Sequence, residues 1–171
     1  MQKVLFVSSE CFPFIKTGGL ADVAGSLPAA LKKLGVDIRV ILPKYSLISQ
    51  SLLEGLRHVA SFDIPLGRQK QYCGIETLLR DGVTYYFVDN EYYFKNNAVY
   101  SGDDWDGERF AFFCRSVLEA LPHIDFIPDI LHCNDWHTGM IPVLLKDRYR
   151  MMPSYSGIRT VFTVHNLQYQ G

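Results

Sequence analysis

Short, continuous runs of β-branched and aromatic residues leave this chain few folds to adopt. "KVLFVSS" at the start is a continuous apolar run that suits a strand buried on both faces, as in a parallel sheet. "VDIRVILP" from residue 36 reads as a second buried strand, and "IRTVFTVHN" from residue 158 as a last, strongly β-branched one. Parallel neighbours need long crossovers, and the first gap supplies one. Leu20, Val23, Ala24, Leu27, Leu31 and Leu34 recur at helical spacing, with Gly35 placed to end the helix. Lys32 and Lys33 fall in its last turn, where the helix dipole favours cations. Pro28 lies inside the pattern and is expected to kink it, having no N–H for the Ala24 carbonyl. Together these segments predict one βαβ unit.

The middle of the chain reads differently. "RHVASFDIPLG", "QKQYCGIETLL" and "VTYYFVDN" predict shorter strands, the last two joined by a hairpin turn at Asp81-Gly82. Helical spacing returns from Gly107 to Leu121, where Pro122 ends it. "DILHCND" predicts a strand and "WHTGMIPVLLKDRY" a helix before the last strand. The expected fold is α/β: a doubly wound, mostly parallel Rossmann-like sheet with an antiparallel hairpin insertion near residues 57–88. A length of 171 residues suits one such domain across the whole of 1–171.

Charge narrows the function classes. A net charge of −1 leaves no electrostatic footprint for nucleic acid or an acidic membrane surface. No apolar run approaches the ~18 residues of a membrane helix. Cys11, Cys73, Cys114 and Cys133 show no C-x-x-C spacing and sit in apolar runs, as reduced core cysteines do. With the first strand beginning near Val4 and no leader before it, a cytoplasmic protein is expected.

Three polar clusters directly follow strand-like runs: Glu10 to Gly19, Asn134 to His137, and His165-Asn166. In a parallel sheet all three share the carboxyl edge, where ligands bind. The first, "KTGGLADV", lacks the spacing of the dinucleotide and Walker loops. It reads either as a plain tight loop or as an anion site. Adjacent glycines at a helix N-terminus bring backbone N–H groups to a phosphate, and Lys16 adds a charge. Asp22 lies in the first helical turn, a favourable dipole position. In the second cluster a zinc reading of His132, Cys133 and His137 fails, because consecutive strand residues point to opposite faces. Asp135-Trp136 reads as a site element or as a helix start with a core tryptophan. The acidic run Asp103-Asp104-Trp105-Asp106 reads as solvated in preference to chelating. Tyr92, Tyr93, Phe94, Tyr100 and Trp105 read mainly as packing, with a sugar-stacking face as the alternative.

Taken jointly and in order, "KTGGLADV", "GERFAFF", "HCNDWHTG" and "FTVHNLQYQG" resemble the N-terminal half of the bacterial glycogen synthases and plant starch synthases, from Lys3 to Gly171. The resemblance implies the N-terminal domain of a GT-B glycosyltransferase, whose two Rossmann-like domains face each other across a cleft. It implies retaining transfer of glucose from ADP-glucose to the non-reducing 4-hydroxyl of an α-1,4-glucan. By motif match, Lys16, Gly18 and Gly19 lie at the donor diphosphate, His165 touches the transferring glucose, and Asp135 lies in the cleft near donor or acceptor. Lys16, Asp135 and His165 are thus the catalytic candidates, and Asn166, Glu10 and Asp22 are weaker carry-overs. No cofactor and no metal are expected, since cations and backbone dipoles stabilise the departing diphosphate. The family's second domain, with most nucleotide contacts, is expected as the partner missing after "NLQYQG". Two other readings stay open: a free-standing nucleotide- or glucan-binding module, and a UDP-glucose-dependent enzyme of the same fold.

Overall fold

The computed structural model describes residues 1–67 and 69–169, so Arg68 and the Gln170-Gly171 end of the last motif lie outside the described residues. Seven strands form one sheet in the order β3-β4-β5-β2-β1-β6-β7. They are β1 (Lys3–Val7), β2 (Asp37–Pro43), β3 (Arg57–Leu66), β4 (Gln69–Arg80), β5 (Val83–Asp89), β6 (Ile130–Asn134) and β7 (Arg159–Thr163). β5, β2, β1, β6 and β7 run parallel, while β3 and β4 extend one edge antiparallel. The expected insertion is therefore two strands wide, because "VTYYFVD" pairs in parallel with β2 and belongs to the main sheet. At the Asp81-Gly82 turn both residues have positive φ, 49° and 76°, the geometry of a tight hairpin whose twist matches its strands.

Four helices accompany the strands: α1 (Gly19–Lys33), α2 (Glu91–Phe94), α3 (Asp104–Ala120) and α4 (Met140–Leu144). α1 packs on β2 and β5, and α3 packs on β3, β5 and α4. The β1–β2 crossover through α1 and the β6–β7 crossover through α4 run in opposite directions along the sheet, and right-handed connections then put the two helices on opposite faces. β1 is central, with Leu5, Phe6 and Val7 fully buried, which is why its run carries no polar alternation.

α1 continues through Pro28, which stands inside the helix. Other local expectations are corrected. The buried stripe of α1 is Leu20, Ala21, Ala24 and Pro28, whereas Leu34 caps the end and is exposed. Gly35 stops the helix with φ 84°. α3 begins three residues before Gly107, because the Asp103 carboxylate caps it by accepting from the Trp105 amide at 3.1 Å. The segment after β6 tightens and then widens in pitch, from a 3₁₀ turn at Trp136–Thr138 through α4 to a π turn at Leu145–Tyr149. Pro142 lies inside that segment, which no uniform helical period describes.

Candidate functional site

Strand order fixes where the loops converge. From β1 the chain winds outward to β2 and β5, then returns to the other side of β1 for β6 and β7. The switch point lies between β1 and β6, and an open sheet of this kind binds ligands in the crevice there. A cleft of about 1320 Å³ occupies that position, lined by Glu10, Thr17–Leu20, the 100–107 segment, Asp135–His137, His165 and Asn166. The three polar clusters do share one edge.

The first wall is the loop from Ser8 to Gly18. It is strapped to α1 by the Phe12 amide, which donates to the Ala21 carbonyl at 3.0 Å. Gly25 makes that contact possible, since a Cβ there would sit 2.6 Å from the Phe12 carbonyl oxygen. Glu10, 3% exposed, shapes the far end of the loop. Its Oε2 accepts from the Thr17 amide and, at 3.2 Å, from the Gly18 amide. Those two amides are therefore spoken for, and Glu10 acts as a loop-shaping residue. No side chain caps α1 beyond Gly18, so its following first-turn amides have no intrahelical partner and open toward the cleft. A Cβ added at Gly18 or Gly19 would meet no protein atom within 4 Å, and both have ordinary φ. Nothing among the described residues requires glycine at either place. A ligand drawn against the backbone would.

Lys16 and Asp22 stand apart from the other candidates. Neither lines the cleft. The Lys16 ammonium donates to both Asp22 oxygens at 2.7 Å, and both side chains are about half exposed, 49% and 57%. Asp22 lies in the first turn of α1, so the pair sits beside the open end of the helix.

The second wall carries backbone strain. Asp135 has φ 57° and ψ 177°, a region that costs a non-glycine residue about 1–3 kcal/mol. Surrounding bonds over-determine it: its amide donates to Thr163 O at 2.9 Å, and its carbonyl accepts from the Thr138 amide and hydroxyl at 3.1 and 3.0 Å. Its carboxylate, 8% exposed as a residue, accepts from the His165 amide at 2.6 Å. Asn134 fixes the His165 ring. The Asn134 Nδ2 donates to Val7 O and His132 O at 3.0 and 3.1 Å, which turns its Oδ1 toward His165 Nε2 at 2.9 Å. Nε2 therefore carries the hydrogen, and in the neutral ring Nδ1 is left as the acceptor. Asn166 lines the cleft, and its carboxamide oxygen accepts from the Gln168 amide at 2.8 Å.

Three features escaped the sequence reading. Asp106 is not solvated. It is 4% exposed, and its Oδ2 accepts from the Ser101 and Gly102 amides, both at 2.8 Å. Burial raises its pKa, but those amides and Arg109 outweigh that and hold it below the usual carboxylate value. Tyr100 is a polar bridge as well as a packing ring: its hydroxyl donates to Glu10 Oε1 at 2.7 Å and lies 2.8 Å from Ser9 Oγ. His137 stacks on Tyr100 at 4.6 Å, and burial drives its pKa down to about 3, so it is a neutral wall residue. His132, the other histidine of the discarded zinc set, lies 2.8 Å from Thr163 Oγ1. The i, i+3 spacing of Asp106 and Arg109 was the one available signal for the first feature.

Comparisons with known proteins give the family. The family model of the starch synthase catalytic domain matches residues 3–171. Glycogen synthases from Anoxybacillus flavithermus and Geobacillus stearothermophilus are 60% and 59% identical over 169 residues, covering 99% of this chain and 35% of each of those proteins. One from Clostridium novyi is 57% identical over 98% of the chain and again 35% of its own length. The chain thus spans about a third of the length of the curated relatives it matches. Among solved structures, the catalytic domain of starch synthase IV from Arabidopsis thaliana, bound to ADP and acarbose, superposes with a TM-score of 0.90. It is 30% identical, over 98% of this chain and 34% of that one.

Proposed function

The chain belongs to the starch synthase catalytic domain family, and from that premise we propose that it is the N-terminal half of a two-domain GT-B glucosyltransferase. The whole enzyme moves glucose from ADP-glucose to the non-reducing 4-hydroxyl of an α-1,4-glucan with retention of configuration. The observation that carries this reading is the uncapped N-terminus of α1, open to the same cleft as Asp135 and His165 at the switch point. A departing diphosphate gains a further negative charge as its bond to the sugar breaks, and preorganised amides at a helix end stabilise such charge as it develops.

Each candidate then has a task. The amides from Gly19 onward receive the diphosphate, with Gly18 and Gly19 keeping side chains out of its way. Lys16 exchanges Asp22 for a phosphate oxygen. His165 presents Nδ1 to a hydroxyl of the transferring glucose. Asp135 holds the His165 backbone in place and faces the donor–acceptor junction. Glu10 keeps the loop in the shape that exposes the helix end, and Asn166 borders the sugar. Acceptor attack occurs on the face of the departing diphosphate, with a donor phosphate oxygen taking the acceptor proton.

We propose further that this chemistry is metal-independent. Asp103 already caps α3, and Asp106 is already bonded to two amides and Arg109, so two of the three carboxylates of the acidic run are engaged within the fold. The decisive assay is glucan incorporation by the full-length protein with ADP-glucose and UDP-glucose side by side, with and without EDTA. Transfer from ADP-glucose that survives EDTA supports the reading. Preference for UDP-glucose, or EDTA-sensitive activity restored by Mg²⁺, overturns the corresponding part of it. The 1–171 chain alone is expected to bind ADP-glucose weakly and transfer nothing, since a one-sided site leaves the reacting centre open to water.

A further inference from the structure

The least economical feature of the core is Arg109. It is fully buried on α3, yet its guanidinium makes one hydrogen bond, from Nη1 to Asp106 Oδ1 at 3.1 Å. Nε and Nη2 have no hydrogen-bond partner among the described residues. The charge rests instead among the rings of Phe110, Tyr45 and Phe94, at 5.2, 5.7 and 5.8 Å. A buried ion pair is a poor route to stability, because well-packed apolar residues of similar volume do as well or better. What the pair does secure is position.

Contacts can be followed from it to the cleft. Arg109 orients the Asp106 carboxylate. Asp106 Oδ2 holds the Ser101 and Gly102 amides at 2.8 Å, at a turn where Gly102 has φ 76°. The residue just before that turn is Tyr100, whose hydroxyl donates to Glu10 Oε1 at 2.7 Å. The other oxygen of Glu10 holds the Thr17 and Gly18 amides. One polar chain thus runs from the interior of α3 to the loop that precedes the open end of α1. His137, stacked on Tyr100, presses on the same bridge.

We infer that Asp106 and Arg109 are positioning residues for the diphosphate pocket, acting through Tyr100 and Glu10 on the Thr17–Gly18 backbone. Neither needs to touch substrate to do so. The inference rests on the donor site proposed above. It assigns to the "GERFAFF" segment a role in presenting the pocket as well as in filling the core.

The test replaces the pair by apolar residues, Asp106→Leu with Arg109→Met, in the full-length protein. Folding should survive, with a melting temperature equal to or above wild type. The donor kcat/KM should nevertheless fall about tenfold or more, with a matching loss of ADP affinity by calorimetry. Arg109→Lys should restore part of it by keeping the charge. Tyr100→Phe breaks the chain at its next link, so its effect on donor kcat/KM should be much less than multiplicative with that of the pair. If the double variant does not fold, Asp106→Asn, which sets an amide donor against Arg109, carries the same readings. A folded variant with wild-type donor kcat/KM overturns the inference, as do effects that multiply independently with Tyr100→Phe. If wild type fails to use ADP-glucose, the proposed function falls, while ADP calorimetry on the variants still decides this inference.

Discussion

Replacing Lys16 by alanine tests whether the half-exposed cation beside α1 belongs to the site. In the unliganded arrangement Lys16 is held by Asp22 at 2.7 Å, with both partners about half exposed. A surface pair of this kind contributes ~0–1 kcal/mol. A charge-assisted contact to a partly desolvated phosphate is worth ~1.5–3 kcal/mol. Because Asp22 must be released first, the net loss on truncation is about 0.5–3 kcal/mol, a fall in donor kcat/KM of about 2- to 150-fold. Steady-state kinetics of the full-length enzyme, with ADP-glucose varied at saturating glycogen, reads this directly. Stability should drop by no more than the surface pair is worth. An unchanged kcat/KM would remove Lys16 from the site. A large loss of melting temperature would mean that the Asp22 bridge is structural and the reasoning from its exposure is wrong.

Other residues give independent tests. His165→Ala should lower kcat about 100-fold while leaving folding nearly intact, since the ring makes one hydrogen bond, to Asn134; a parallel collapse of the melting temperature would make His165 structural. His137 binds no proton in the fold until about pH 3, whereas an unfolded histidine binds one below about pH 6.5. The folded state is therefore penalised as pH falls through that window, by about 1.4 kcal/mol per pH unit from this group. Urea titrations of wild type and His137→Gln between pH 7 and 5 should show the smaller slope in the variant, and equal slopes would refute the depressed value. Gly25→Ala forces a Cβ to 2.6 Å from the Phe12 carbonyl and should cost about 1–3 kcal/mol; a neutral melting temperature would show that the loop yields freely.

Periodicity exposed the architecture well because the inner parallel strands β1, β2 and β5 are largely buried, and the polar clusters fall where parallel strands end. The order of the strands, and so the switch point beside β1, followed only from pairing that no local pattern contains. α3 started earlier than expected because a carboxylate cap, not apolar spacing, sets its first turn. Asp106 read as solvated since its two amide partners lie in a turn whose geometry depends on Gly102. Conversely, β7 reads as a strand from its β-branched run, yet that run does not report burial, since Val161 and Phe162 are 43% and 46% exposed. The run reports what the strand can pack against, and the described residues leave both positions partly uncovered. For Glu10, identity was legible and role was not: a carboxylate beside a phosphate loop makes sense only once it is seen to hold the loop's own amides.

Asp135 has a bearing on how variants of this protein are screened. Glycine at that position would relieve the backbone strain, about 1–3 kcal/mol, and would also remove the carboxylate that accepts from the His165 amide, about 1.5–3 kcal/mol. Gain and loss are of one size and opposite sign. A library sorted by thermal shift would score Asp135→Gly as silent, and its members would pass as neutral drift while the cleft lost its anchor for His165. At this residue melting temperature and the proposed donor chemistry are decoupled by the backbone itself, so the substitution registers only in a screen that reads donor binding or turnover.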